Sequence, residues 1–317
     1  MLVGCRLGRR AVHGLRFPLV PFVHDAAAID AQLSSPSGVA LFGVPIDSNS
    51  SFLRGPADAP DAIRHAFLSD SANGTSELGV DVGMLVKTHL VDLGNVSPSF
   101  DLVTTVAAAA AARHKLLVLG GDHSITFPVV RGLRSALLAA GESRLNILHL
   151  DAHSDMYADD VLGGDNALSH ASPFARILEH GLCMRLVQVG IRTQTAHLWA
   201  QADKYNVEVH DMVALARQGL PTLKFDGPLY ISIDLDVLDP AFAPGVSHYE
   251  PGGMTTRDVL TLLQSVEGPI VGADIVELNV ARDIGAGHAA VTGQTSPGMT
   301  AMVAAKFAKE LLARMVA

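Results

Sequence analysis

From residue 38 onward the chain alternates short, apolar, β-rich runs with Ala- and Leu-rich stretches of helical spacing. This alternation constrains the fold more than any other feature of the sequence. The apolar runs are "VALFGVPI", "THLVDLG", "KLLVLGG", "LNILHL", "RLVQVGI", "VEVH", "PLYISIDL" and "PIVGADIV". Between them lie "APDAIRHAFL", "DLVTTVAAAAAARH", "TFPVVRGLRSALLAA", "ASPFARILEHG", "TAHLWAQADKY" and "TTRDVLTLLQSV", and "GMTAMVAAKFAKELLARMV" closes the chain. Strands with so little polar alternation are covered on both faces, and a helix after each strand implies parallel crossovers. The sequence predicts an α/β fold in three layers, with about eight strands in a mostly parallel sheet and helices on both faces. No repeat or long linker divides residues 25–317, which read as one domain. The alanine run at 108–112 reads as a helix packed closely through small side chains.

Composition narrows the class. Hydrophobic residues make up 49% of the 317 positions and charged residues 17%, which suits a large globular core. Net charge is −9 and the Lys and Arg are scattered, so no basic face points to nucleic acid. The longest uncharged helical stretch, "LVTTVAAAAAA", stops at Arg113 and is too short to span a bilayer. Cys5 and Cys183 form no disulfide framework and fit a reducing compartment. Residues 1–24 hold Arg6, Arg9, Arg10 and Arg16 with no acid before Asp25, as in an organelle transit peptide, but no serine precedes Ser34. Two locations stay open: mitochondrial with a transit peptide, or cytoplasmic with an N-terminal tail.

The charged motifs fall where such a sheet binds ligands, just past the carboxyl ends of strands. "KLLVLGG" runs into Asp122 and His123, "LNILHL" into Asp151, His153 and Asp155, and "PLYISI" into Asp234 and Asp236. Alternate residues of an extended segment point the same way, so Asp151 with His153, and Asp234 with Asp236, can face one site. An uncompensated cluster of four carboxylates would be costly in so apolar a chain. Four carboxylates and two imidazoles are too many ligands for one small cation and suit two divalent ions. Oxygen-rich ligation with two histidines favours Mn²⁺, with Ni²⁺, Co²⁺ or Fe²⁺ as alternatives. Two such ions lower the pKa of a water and supply hydroxide at neutral pH, which suits hydrolysis of an unreactive carbon. His149, inside its strand, reads as a core or ligand-supporting residue. Asp122 reads as a ligand-orienting group, and Asp239, before Pro240, as a turn former.

"GGDHS" (120–124), "DAHSD" (151–155) and "SIDLDVLDPAFAPG" (232–245) resemble the three signatures of the ureohydrolases, the arginase and agmatinase family. The resemblance runs from "FGVPIDSNSSFLRGPADAPDAIR" to "GMTAMVAAK". "SHASPFARI" and "YISIDLDVLDPAFAPGVSHYEPGG" look most like plant-type arginases. It implies an arginase-like catalytic domain over 25–317 and a small guanidino substrate hydrolysed to urea and an amine. It also implies a homo-oligomer, a trimer or hexamer. His123, Asp151, Asp155 and Asp234 would hold one Mn²⁺, and Asp151, His153, Asp234 and Asp236 the other. Asp155 would pass the proton of the attacking hydroxide to the leaving nitrogen, His170 would shuttle protons, and Glu277 would pair with the guanidinium. Asn166 and Ser169 are the candidates for binding the α-carboxylate of arginine. His180, His197, His248 and His288 match no motif and read as surface or packing residues.

Two segments depart from the plant-type pattern: "MYADDVLGGDNAL" (156–168), with Asp159, Asp160 and Asp165, and "VARDIGAGHAAVTGQTSP" (280–297). The acidic loop suits an amine tail, so agmatine and other guanidino compounds stand beside arginine as substrates. The second segment reads as a cover for the site or part of a subunit contact. A one-metal deacetylase is disfavoured by the paired ligand motifs, and an inactive regulatory subunit by the presence of all six ligands.

Overall fold

The computed structural model describes residues 22–34, 38–158, 166–288 and 295–316. Nine strands form its main sheet: β1 (Phe22–Val23), β2 (Val39–Val44), β3 (Leu90–Val96), β4 (Lys115–Gly120), β5 (Asn146–Leu150), β6 (Arg185–Ile191), β7 (Glu208–Asp211), β8 (Leu229–Asp234) and β9 (Ile270–Val276). They lie in the order β1-β3-β2-β4-β9-β8-β5-β6-β7, and every neighbouring pair is parallel. The eight expected strands are all present. The ninth, β1, comes from residues expected in the tail: Phe22 pairs with Asn95 and Val23 with Val96, and Val23 is buried. A two-residue edge strand carries too little pattern to be seen in an Arg-rich stretch. The third strand is also shifted, because Thr88 ends a helix and pairing begins at Leu90.

The helices are α1 (Ala59–Phe67), α2 (Val82–Thr88), α3 (Phe100–Ala111), α4 (Thr126–Ala139), α5 (Pro173–Glu179), α6 (Ala196–Tyr205), α7 (Met212–Gln218), α8 (Thr256–Ser265) and α9 (Met299–Val316). Polar side chains close the first turns of several of them. Ser99 Oγ accepts from Leu102 N, Thr195 Oγ1 from Leu198 N, and Thr255 with Asp258 forms a reciprocal capping box. The period-two alternation of the strands sorts the core into two layers. Leu117, Leu119, Leu148, Leu150, Ile231 and Ile233 pack with α1, α8 and α9. Leu116, Val118, Ile147 and Tyr230 point the other way, into α3, α4 and α5. The alanine run of α3 does serve close packing. A Cβ built on Gly132 of α4 would lie 2.3 Å from Thr104 O and 2.8 Å from the Ala107 methyl.

The strand order positions the site. β4, β9, β8 and β5 are consecutive neighbours in the middle of the sheet, with Leu119 level with Ile275, Ile275 with Ile233, and Ile233 with Leu150. The segments that leave their carboxyl ends carry His123, Glu277, the Asp234 pair and the Asp151 set. Four sequence motifs spread over 155 positions therefore meet at one sheet edge.

Candidate metal centre

His123 opens a short 3-10 turn directly after β4, capped by Asp122, whose Oδ1 accepts from Ser124 N. Its Nδ1 lies 3.2 Å from Asp151 Oδ2, 3.0 Å from Asp155 Oδ2 and 3.2 Å from Asp234 Oδ2. The other ring nitrogen decides the tautomer. Nε2 is 2.9 Å from Ser232 Oγ, and that hydroxyl donates its own proton to Asp274 Oδ1 at 2.6 Å. Asp274 is held in turn by the hydroxyls of Thr126 and Tyr230, both 2.7 Å from Oδ2. Ser232 can therefore only accept from His123, which puts the ring proton on Nε2. Nδ1 turns a lone pair toward three carboxylate oxygens and has no hydrogen-bond partner of its own. A lone pair among three carboxylates is repulsive unless a cation lies between them, and this is the donor arrangement of a metal ligand supported from behind.

The second half of the cluster is built alike. His153 Nδ1 lies 3.1 Å from Asp236 Oδ2 and 3.5 Å from Asp151 Oδ1, and the donor atoms of these three residues all fall within 4.8 Å of one another. Asp151 is the shared member: Oδ1 accepts from His153 N at 2.6 Å and Oδ2 from His149 Nε2 at 2.7 Å. His149 orients rather than ligates. Its Nδ1 accepts from Gln188 Nε2, whose second proton goes to Ser154 O, so the His149 proton is on Nε2 and points at Asp151. Phe174 of α5 stacks on the His149 ring at 3.8 Å. Without a cation the cluster holds its charges only by binding protons. Burial lowers the His123 pKa, but the adjoining carboxylates of Asp151, Asp155 and Asp234 favour a proton on the ring and drive it well above the usual value. Burial and the charges of Asp236 and Asp151 push Asp234 well above the carboxylate range. The donor atoms fall into two groups that could each hold a cation, with Asp151 common to both.

Glu277 follows β9 and stands beside this cluster. Its Oε1 accepts from His123 N at 2.9 Å and from His170 Nδ1 at 3.0 Å, while Oε2 is buried with no partner. His170 Nε2 accepts from Ser51 N at 3.1 Å, which leaves Nδ1 as the donor to Glu277. Burial alone would lower the His170 pKa, but the Glu277 carboxylate outweighs it and holds the ring up to about 9. Glu277 moves the opposite way: burial raises it, and the hydrogen bond from His170 brings it below its ordinary value.

The cluster opens on a cavity of ≈ 240 Å³. Asp155, Asp234, Asp236, His153, His170 and Glu277 line it, as the sequence predicts, and His123 and Asp151 lie behind them. Asn166 and Ser169 do not line it. Asn166 Oδ1 accepts from Leu168 N and Ser169 Oγ from Ala171 N, so both build the turn before α5. The walls come instead from residues with no motif: Ser51, Thr193, Thr195, His248 and Glu250. His248 is thus no packing residue; its ring centroid lies 5.3 Å from that of His170 and 6.0 Å from that of His153. The signal for it was the alternation in "HYE", where His248 and Glu250 line the cavity while Tyr249 faces out, 41% exposed. His180 and His197 do pack, against Phe127 and Tyr157. Asp239 forms the expected turn by accepting from Ala241 N and Gly252 N, and Asp122 fixes Asn49 N. Asp159, Asp160 and Asp165 lie outside the described residues. So does the centre of 280–297, whose flanks pair as a short antiparallel ribbon, Gly287–His288 with Thr295–Ser296.

A profile of the Arginase family matches residues 37–313. The chain belongs to the Arginase family. Family relatives include "Arginase, mitochondrial" from Medicago truncatula, 43% identical over 93% of this chain and 88% of that protein. The solved structure of arginase from Medicago truncatula superposes with a TM-score of 0.77, at 40% identity, over 92% of this chain and 91% of that one. An N(1)-aminopropylagmatine ureohydrolase of Thermus thermophilus is 37% identical over 76% of this chain and 82% of that protein.

Proposed function

We propose that this member of the Arginase family hydrolyses L-arginine to L-ornithine and urea, using two Mn²⁺ ions. The observation that carries the reading is Glu277 Oε2, a buried carboxylate oxygen without a partner in a cavity that adjoins a six-ligand cluster. A planar guanidinium supplies the missing donors and the opposite charge. The similarity to the Medicago arginase favours arginine over other guanidino compounds. His123, Asp151, Asp155 and Asp234 would hold one ion, and Asp151, His153, Asp234 and Asp236 the other; Ni²⁺, Co²⁺ and Fe²⁺ suit the same donors. When bound, the ions supply hydroxide at neutral pH.

The protein's own groups then position and protonate. Glu277 fixes the guanidinium so that its carbon faces the metal-binding end. Asp155, at the cavity wall, takes the hydroxide proton and hands it to the leaving nitrogen. The Glu277 carboxylate supports a positive charge on His170 up to about pH 9, and taking the second proton on Nε2 breaks the bond from Ser51 N. Arrival of the guanidinium sets two cations against one carboxylate, which lowers the imidazolium pKa and frees its proton for the departing amine.

Agmatine is the second reading, because no Lys or Arg is among the described residues that line the cavity. Urea release from a panel of guanidino compounds, with metal content measured alongside, separates the two. Arginine is expected to give the highest kcat/KM; an enzyme indifferent to arginine overturns the assignment. The reading includes a mitochondrial location for the Arg-rich 1–24 segment, supported by the mitochondrial name of the Medicago relative, and assembly as a trimer or hexamer. Exposed Ile284 and Met299, joined by the bond from Met299 N to Ile284 O, suit a subunit contact. Imaging of a tagged chain and light scattering test these two points.

A further inference from the structure

We propose that Glu250 recognises the ammonium group on the substrate's tail, and that the 248–250 wall, not the 166–169 turn, selects among guanidino compounds. The inference rests on the guanidino reading of the site and deepens it.

Charge matching singles out Glu250. Asp151, Asp155, Asp234 and Asp236 face the cation cluster, and Glu277 faces His170 and the guanidinium position. Glu250 lines the same cavity, and its carboxylate takes no hydrogen bond or ion pair from any described residue. The neighbour best suited to neutralise it declines to do so. Arg192 donates Nε at 2.9 Å and Nη2 at 2.6 Å to the backbone carbonyl of Glu250, not to its side chain. The remaining donors go to Asp236 O, Val237 O, Leu238 O and Gly190 O. One guanidinium thus ties the carbonyl side of the Asp236 turn to the backbone of Glu250 and leaves the carboxylate free. The segment is held from its other side as well. Gly252 N donates to Asp239 Oδ2 at 2.7 Å, and a Cβ on Gly253 would lie 2.7 Å from Arg192 Nη2. A charged group so fixed, and left without an internal partner, is preorganised for an external one.

The spacing fits a short diamine-like tail. His248 stands at the guanidinium end, against His153 and His170. Glu250 is two residues on, so the two Cα atoms are no more than about 7 Å apart. From the guanidinium carbon to the α-carbon of arginine is five bonds, about 6 Å when extended. Glu277 and Glu250 line the same cavity, so a guanidinium held by Glu277 has its tail in the space that Glu250 borders. Across the cavity Thr195 Oγ1 accepts from Leu198 N, which leaves its own proton to donate to an α-carboxylate. A carboxylate-only tail finds Glu250 repulsive.

The test compares wild type with Glu250→Gln, an isosteric change, using four ligands with the same head and different tails. L-arginine and agmatine carry a tail ammonium, 1-butylguanidine carries no tail charge, and 4-guanidinobutanoate carries only a carboxylate. On the Mn²⁺-loaded protein, ligands that are hydrolysed are compared by kcat/KM and the others by competitive inhibition constants, and metal content and melting temperature are recorded for both proteins. Glu250→Gln is expected to weaken arginine and agmatine by about tenfold or more, to leave 1-butylguanidine within about threefold, and to tighten 4-guanidinobutanoate. Glu250→Asp should keep part of the preference for ammonium tails. Equal losses on all four ligands, or no loss on any, overturn the proposal. So does transfer of the selectivity to a triple Asn variant of Asp159, Asp160 and Asp165. Failure of the wider functional reading looks different: wild type would then release no urea from any guanidino compound.

Discussion

Asp155 and Glu277 adopt φ of +50° and +65°, a left-handed backbone that costs a residue with a side chain about 1–3 kcal/mol. Among the described residues other than glycine only Asn206 shares it, and Asn206 is an ordinary left-handed helix cap. Strain in a carboxylate of the cluster and in the carboxylate that awaits the guanidinium is strain spent on aim: each side chain is turned from the end of its strand into the cavity. His170 depends on that aim, since its charge is supported by Glu277 Oε1. The sign follows from the raised value. His170 is protonated below about 9, so a proton-donating role is present at neutral pH and lost as pH rises through about 9. His170→Asn should retain both metals and the fold, lower kcat by about 10- to 10⁴-fold, and erase the basic limb of the kcat/KM profile. An unchanged limb would assign that ionisation to another group.

At the scale of elements, charged groups help pin the excursion between α1 and α2 to α8 and α9, beside the apolar packing of Val80. Glu77 takes a bidentate pair from Arg257 at 2.6 and 2.9 Å, its backbone N donates to buried Glu310 at 2.8 Å, and Lys306 completes the set, 2.6 Å from Glu310. The hydrogen bonds from Arg257 and Gln264 hold the Glu77 carboxyl down at about 2. Its stabilising effect is therefore complete above the ordinary glutamate range and lost as pH falls toward 2. Because both partners are partly exposed, Glu77→Ala should cost only about 1 kcal/mol in a urea melt at pH 7, and less in high salt. A loss that salt leaves unchanged would assign the effect to packing.

The same contrast explains how much of the molecule was legible in its sequence. The central strands and their terminal motifs could be read because each is written within about ten consecutive residues, in apolar runs that end in ligand types. The strand order that brings those motifs together could be anticipated only as far as the rule that parallel sheets bind at their carboxyl ends. β1 and the Glu77 excursion left no periodic mark. Asn166 and Ser169 stand close to His170 in sequence but do not line the cavity, and their side-chain oxygens accept within the turn before α5. His248 and Glu250 reach the cavity only because Arg192, fifty-odd residues earlier, folds their segment back over the sheet edge.

For the whole molecule, the cluster is also a clasp. His123, Asp151, Asp155, Asp234 and Asp236 leave the ends of β4, β5 and β8, and Glu277 of β9 is tied in through His123 N. Ions bound there would join β4, β5 and β8 through buried charges, with β9 tied in through Glu277, so metal binding and folding would be linked by mass action. At free metal about 100-fold above Kd one site adds about 2.7 kcal/mol, which in a chain of 317 residues raises Tm by roughly 4 °C. Chelated protein should melt that much lower or more, and Mn²⁺ should restore it with a shift that grows with the logarithm of free metal. The two ions can be told apart by substitution. His123 faces only the Asp151, Asp155 and Asp234 set, so His123→Ala should lose one ion preferentially and keep a reduced response of Tm to Mn²⁺. Asp234→Asn removes a shared carboxylate and should abolish most of both. Elemental analysis alongside the melts checks the stoichiometry: one ion in fully active wild type, or a Tm indifferent to chelation, would overturn the two-ion clasp.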